Sequence, residues 1–246
     1  MRRERQVVQS RCGASPRAIL PYKARGETPR LLCALQVLFL VFAFCVSAQS
    51  ADIDSVIAGL QRRYSAINTM MGSFEQTYRA PGIDQVESGI FSLKKPGLMR
   101  WEYRNPEEKL FIADGRETHL YVPADRQVTV QSFTTEEMHN TPLEFLLGSV
   151  DINKSFAASW ENQLKQKIEG TYLLRLTPRS SDAQYSYLVL EVDQKNYDLE
   201  RIVIREPGGN TSEFVFSDLK TNVKVDNNLF KFKPPKGVET IRIQNE

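Results

Sequence analysis

Over residues 53–68 apolar side chains recur at spacings of three and four. Ile53, Val56, Ile57, Leu60, Tyr64 and Ile67 form one stripe, which predicts an amphipathic helix with Asp52 or Asp54 as its N-cap. From Phe74 the period changes to two. Phe74, Gln76 and Tyr78 alternate with polar residues until Ala80-Pro81-Gly82 ends the run. Short strands are predicted over 86–93, 98–103, 109–112, 118–122 and 127–133, divided by Lys95-Pro96-Gly97, Asn105-Pro106, Asp114-Gly115 and Pro123-Ala124-Asp125. Residues 141–148, with Thr141 as N-cap, Pro142 at the first helical position and Gly148 at the end, predict a short helix. Strand patterns resume over 171–177, 185–192, 199–205, 212–216 and 229–232, and Pro207-Gly208-Gly209-Asn210 reads as a hairpin turn. The pattern amounts to about ten strands and two helices in one domain. Strands so close in sequence pair with their neighbours, so an antiparallel sheet is expected.

Several strands carry one strongly apolar face. Met99, Trp101 and Tyr103 share a face with Arg100 and Glu102 opposite, and Phe214 with Phe216 and Phe230 with Phe232 are spaced alike. An apolar sheet face must be covered, and two short helices are little cover for ten strands. The pattern leaves two readings open: a fully packed α+β core, or a curved sheet with a partial lid enclosing a concave apolar space.

The N-terminal region changes the charge picture. Of 32 Lys and Arg, 8 lie in the first 48 residues, against 2 of 30 Asp and Glu, so the rest of the chain is net −4 although the whole is +2. A phosphate-tracking partner such as nucleic acid is therefore not expected. Arg30 precedes an uncharged apolar run over 31–45 that leads to Val46-Ser47-Ala48, the three parts of a secretory signal peptide. The domains read as a signal peptide over 1–48, whose basic lead is longer than an ordinary n-region and suggests an over-extended N-terminus, and a β domain over 49–246. Cys12, Cys33 and Cys45 all fall in the leader, and Phe44 before Cys45 does not suit lipid modification there, so a lipid-free domain without disulfides is expected.

Reactive constellations are not visible. His119 sits in a predicted strand and His139 in a polar loop, neither at a metal or catalytic spacing; Glu107-Glu108 and Glu136-Glu137 read as solvated charged turns. Neither a Gly-rich phosphate loop nor a nucleophile elbow appears. A binding protein without cofactor or metal is expected rather than an enzyme.

The order and spacing of short motifs resemble the periplasmic outer-membrane lipoprotein carrier (LolA-like) family. They run from Ser73-Phe74-x-Gln76 through Gly89-x-Phe91-x-Leu93-x-Lys95-Pro96-Gly97-x-x-Arg100-Trp101-x-Tyr103 and Pro106 to Asp114-Gly115 and Leu120-Tyr121. They continue through Thr141-Pro142-Leu143 to Phe214-x-Phe216, Asn222 and Phe230-x-Phe232-x-Pro234-Pro235-x-Gly237-Val238. The resemblance implies a mainly β fold with short helices, a curved antiparallel sheet of about eleven strands forming an unclosed β-barrel, and a helical lid over an apolar cavity. It implies a periplasmic chaperone that takes acylated lipoproteins from an inner-membrane lipoprotein-releasing ABC transporter and passes them to an outer-membrane acceptor, as a monomer. A carrier of another amphiphile, such as a glycolipid or aryl lipid, is the alternative, since an apolar cavity has little chain specificity.

Carried onto this chain, the acyl-chain cavity comprises Phe91, Leu93, Met99, Trp101, Tyr103, Phe214 and Phe216, and the lid Ile57, Leu60, Leu143, Phe145 and Leu146. Lys95 stands where some members carry an Arg that latches the lid. A lysine offers a point charge without the planar fork, so a weaker or differently arranged latch is expected.

Overall fold

The computed structural model describes residues 51–132, 144–147, 150–181 and 183–243. The leader with its cleavage point and three cysteines, His139, Glu136-Glu137 and Leu143 lie outside the described residues.

Helix α1 (Ile53–Ser65) buries Val56, Ile57, Leu60 and Tyr64, the stripe its periodicity predicts. Asp52 is its N-cap residue, through its backbone carbonyl rather than its carboxylate, and Arg62 and Arg63 lie in the last turn, where the helix dipole favours positive charge. The helix stops short of the expected Asn68. Asn222 intervenes, accepting from the Asn68 N–H at 2.8 Å and donating to the Ala66 carbonyl at 3.1 Å. A side chain 154 residues away thus satisfies backbone groups that another turn of helix would have used.

Six strands follow: β1 (Thr69–Ala80), β2 (Ile83–Lys94), β3 (Leu98–Asn105), β4 (Lys109–Asp114), β5 (Glu117–Val122) and β6 (Gln127–Ser132). After the single-turn helices α2 (Glu144–Leu147) and α3 (Ile152–Ser155) come β7 (Phe156–Trp160), β8 (Thr171–Pro178), β9 (Tyr187–Asp193), β10 (Leu199–Arg205) and β11 (Thr211–Thr221). A 3₁₀ turn (Asn227–Phe230) and β12 (Glu239–Ile243) complete the chain. The strands form one curved, unclosed sheet in the order β12-β6-β5-β4-β3-β2-β1-β11-β10-β9-β8-β7. Its edges are β12 and β7. Neighbouring strands rotate by roughly 20–25°, so a twelve-stranded sheet coils around whatever lies on its inner face. Bulges between Met71 and Ser73, Ser88 and Gly89, and Leu199 and Arg201 add local bends. At the second of these, a Cβ on Gly89 would come within 1.8 Å of the Glu102 carbonyl oxygen, so the strands can approach this closely only through glycine.

Three expectations are corrected. The strand over 229–232 is a 3₁₀ turn and an extended strap: Asp226 caps it through the Asn228 N–H, and the Arg100 guanidinium donates to the Leu229 carbonyl at 3.1 Å. Phe230 and Phe232 therefore do not line the inner face. Phe230 is buried where the turn packs against β3 and β4, and the Phe232 ring lies 5.5 Å from His119 and 5.6 Å from Tyr121. The sheet is also not wholly antiparallel, because this strap delivers β12 to pair parallel with β6, Glu239 opposite Gln127. Finally, the described residues form twelve strands rather than ten or eleven, the sequence pattern having missed β7 and β12. Both are five-residue edge strands without a clean alternation of buried residues.

The outer face is covered elsewhere too. The loop between β7 and β8 folds over β8–β10, pinned by the buried Glu191 carboxylate. That carboxylate accepts from the Lys167 and Ile168 backbone N–H groups at 2.9 and 2.8 Å and from the Thr171 hydroxyl at 2.9 Å, and is paired with Arg201. Strand β9 is consequently buried on both faces.

Candidate functional site

Alternation in β11, β1, β2, β3 and β4 sends one set of side chains to the inner face. Register then stacks them in rows: Phe74 lies opposite Phe216, Gln76 opposite Phe214, Phe91 opposite Trp101, Leu93 opposite Met99, and Trp101 opposite Phe111. The result is an aromatic cluster centred on Trp101. Its ring stacks on Phe91 at 4.9 Å and meets Phe74 edge-on at 4.8 Å and Phe214 at 6.0 Å, while Phe91 meets Phe216 at 5.6 Å. Such pairs add about 0.5–1.5 kcal/mol each beyond their buried area. All seven side chains expected on this face are brought together in one apolar cluster. Phe91, Leu93, Met99, Trp101, Phe214 and Phe216 are buried, and Tyr103 is partly buried against them.

The helices lie on this cluster. Ile57, Leu60 and Tyr64 of α1, Phe145 and Leu146 of α2 and Ile152 of α3 all belong to it. Alpha-1 is fastened by polar contacts: Arg63 to Asp198 at 2.7 Å, and the Leu199 N–H to the Tyr64 hydroxyl at 3.0 Å. Burial pushes the Tyr64 phenol above its ordinary range, so it stays neutral as an acceptor. The Tyr197 ring presses on α1 at Gly59, where a Cβ would come within 2.3 Å of it. Lys95 contributes as well, its ammonium donating to the Tyr64 carbonyl at 2.7 Å. Lys95 thus neutralises the carboxyl-terminal end of α1, and burial holds its pKa below the usual lysine value. By contrast, the described side chains of α2 join through apolar contact, Phe145 meeting Phe156 at 5.4 Å.

A cleft of about 380 Å³ opens between α1 and the other helices, lined by Leu60, Tyr64, Phe145, Val150, Ile152 and Leu199 among others. Of the expected lid residues, Leu60 and Phe145 border it, while none of the seven sheet residues does. The inner face is packed shut below it.

At the polar end of the same face the sequence pointed to Tyr103 and Gln76 but not to Glu87, Lys109 or Ser212. The Tyr103 hydroxyl donates to Gln76 Oε1 at 3.0 Å, Gln76 Nε2 donates to the Ser212 hydroxyl at 3.1 Å, and Glu87 pairs with Lys109, whose ammonium lies 5.1 Å from the Tyr103 ring centre. Burial, with help from Glu87, pushes the Tyr103 phenol up to about 12. These residues continue the alternation of Phe74, Phe91 and Trp101, so period-two counting beyond the last apolar residue was the available signal. His119 sits on the outer face beneath Phe232 with its Nε2 3.5 Å from Asp114, and Glu107 and Glu108 are exposed at the β3–β4 turn.

A sequence model of the family described as outer membrane lipoprotein carrier protein LolA matches residues 65–233. The chain belongs to the LolA family. Relatives include an outer-membrane lipoprotein carrier protein of Neisseria meningitidis, 28% identical over 207 residues, covering 83% of this chain and 96% of the relative. The carrier protein of Actinobacillus pleuropneumoniae is 31% identical over 194 residues, covering 78% of this chain and 85% of that one. Among solved structures, a LolA superfamily protein from Nitrosomonas europaea overlays with a TM-score of 0.42 at 13% identity, covering 74% of this chain and 99% of that one. In this LolA-family chain the apolar inner face belongs to an unclosed sheet.

Proposed function

We propose that this protein is a periplasmic carrier that binds the acyl chains of lipoproteins released from the inner membrane and delivers them to the outer membrane. The carrying observation is the inner face itself: a continuous aromatic and aliphatic surface covered, among the described residues, by one 13-residue helix and two single-turn helices, in a sheet whose edges remain unpaired with each other. A triacylated cargo has on the order of forty methylenes, each costing about 0.8 kcal/mol when exposed to water. The cleft of about 380 Å³ is near the lower end of the roughly 300–1,000 Å³ that ligand pockets span. Uptake of several chains therefore calls for helix movement that uncovers Phe91, Leu93, Met99, Trp101, Phe214 and Phe216.

In this reading α2, with Phe145 and Leu146, is the moving part of the lid, and α1, whose Ile57 and Leu60 cover the same face, is the part that Lys95 latches in place. The chain reaches the periplasm through a signal peptide cleaved after Ala48, works as a monomer without cofactor or catalysis, and exchanges cargo with an inner-membrane ABC transporter and an outer-membrane acceptor. The test is native mass spectrometry of protein purified from periplasm without detergent, with lipid extraction and an added triacylated lipopeptide. Co-purifying or acquired acylated cargo is expected. A bare protein mass, together with refusal of the lipopeptide, would return the inner face to the role of a closed core.

A further inference from the structure

Trp101 is 2% exposed, yet among the described residues its indole Nε1 has no hydrogen-bond partner. Its surroundings explain why: Phe74, Phe91, Phe214 and Phe216 provide ring contacts and no oxygen. The polar atoms one row away are engaged with each other, Gln76 Oε1 with the Tyr103 hydroxyl, the Ser212 hydroxyl with Gln76 Nε2, and Lys109 with Glu87. A phenylalanine here would fill space without burying an unsatisfied donor. The nitrogen makes sense if its partner arrives with a ligand.

We propose that the Trp101 indole N–H is a hook for the ester carbonyl at the head of a bound acyl chain. The inference rests on the carrier reading and adds what part of the ligand is recognised and where. An indole N–H can only donate, so the partner is an acceptor. A carboxylate would need a cation beside it, and Lys109 on this face is already paired with Glu87. A neutral carbonyl fits. The position fits as well: Trp101 stands between the apolar Met99 and Leu93 on one side and the polar Tyr103, Gln76 and Ser212 on the other. An amphiphile whose carbonyl sits at Trp101 would lay its hydrocarbon over the first group and turn its head toward the second. The hook thereby fixes how deeply the chains enter.

Such a carbonyl belongs both to lipoproteins and to diacyl phospholipids, so both are tested. Binding of an S-diacylglyceryl lipopeptide and of a diacyl phosphatidylglycerol is measured, each against its dialkyl ether analogue, which lacks the ester carbonyls. The proteins are wild type, Trp101→Phe, and a form with β-(3-benzothienyl)alanine at position 101, which keeps the bicyclic shape and replaces N–H by sulfur. Wild type is expected to hold ester forms about three- to tenfold more tightly than ethers, and both replacements to lose that preference. In ¹⁵N-indole NMR spectra, assigned with Trp160→Phe, the Trp101 proton should move downfield with ester ligands and not with ethers. An ester preference confined to one amphiphile assigns the hook to that source. Equal binding of ester and ether by wild type, or a preference that survives the benzothienyl replacement, overturns the hook while leaving carriage intact. Uptake of neither form of either amphiphile by wild type overturns the carrier reading and the hook with it.

Discussion

Replacing Phe145 with Ala separates a lid from a core. The side chain is 5% exposed, packs on Phe156 at 5.4 Å and borders the cleft beside Leu60 and Ile152. Truncating a buried phenylalanine costs about 3–5 kcal/mol, and less where the surroundings are already open. With the cleft on one side, about 3 kcal/mol is the appropriate figure. Alpha-1 is held independently by Asp198, Leu199 and Lys95, and the sheet by its ladders. The loss should therefore fall on the docking of α2 rather than on global unfolding. At about 1.4 kcal/mol per tenfold, docking weakens by roughly a hundredfold. Hydrogen exchange of the α2 amides should accelerate by about that factor, and a bound lipopeptide should leave faster, while the urea midpoint moves little. Unchanged exchange at α2 would refute the lid role, and so would a loss of about 3 kcal/mol in global unfolding, which would make Phe145 ordinary core.

Other positions test the scaffold. Tyr103 is neutral in the fold up to about pH 12, whereas an unfolded tyrosine ionises near 10, so the unfolded chain binds fewer protons above pH 10 and stability falls with rising pH. Between pH 9 and 11 wild type should lose about 1.4 kcal/mol more than Tyr103→Phe in urea titrations; parallel losses would contradict the burial of this phenol. Arg201→Met leaves the Glu191 carboxylate buried without its countercharge and should cost about 3–5 kcal/mol of stability at pH 7, and a loss under about 1 kcal/mol would show that the pair does not anchor the loop. Gly89→Ala must push β2 from β3 at the bulge. A loss above about 3 kcal/mol or insoluble protein is expected, and wild-type stability would mean the strands need not approach so closely.

Much of the inner face was legible because a period of two is a local property. Met99, Trp101 and Tyr103 must share a face of any strand that contains them, as must Phe214 and Phe216, and Ile57, Leu60 and Tyr64 must share a face of any helix. The family motifs then joined these faces into one surface. The same counting misled at Phe230 and Phe232. Two aromatics separated by one residue satisfy a strand equally well as a strap, and only the outer faces of β3–β5, waiting to be covered, decide between them.

What the sequence by itself determined is therefore each element's face, the length of α1 to within a turn, and the residues available to form an apolar surface. Tertiary structure alone decided which faces meet. It ended α1 with Asn222, brought β12 parallel to β6, gathered Gln76, Glu87, Lys109 and Ser212 into one polar end, and left the Trp101 nitrogen without a partner. The physical reason is range. Periodicity is set by backbone geometry over a few residues, whereas a hydrogen bond between Asn68 and Asn222, or its absence at Trp101, depends on chain segments that only the folded sheet brings together.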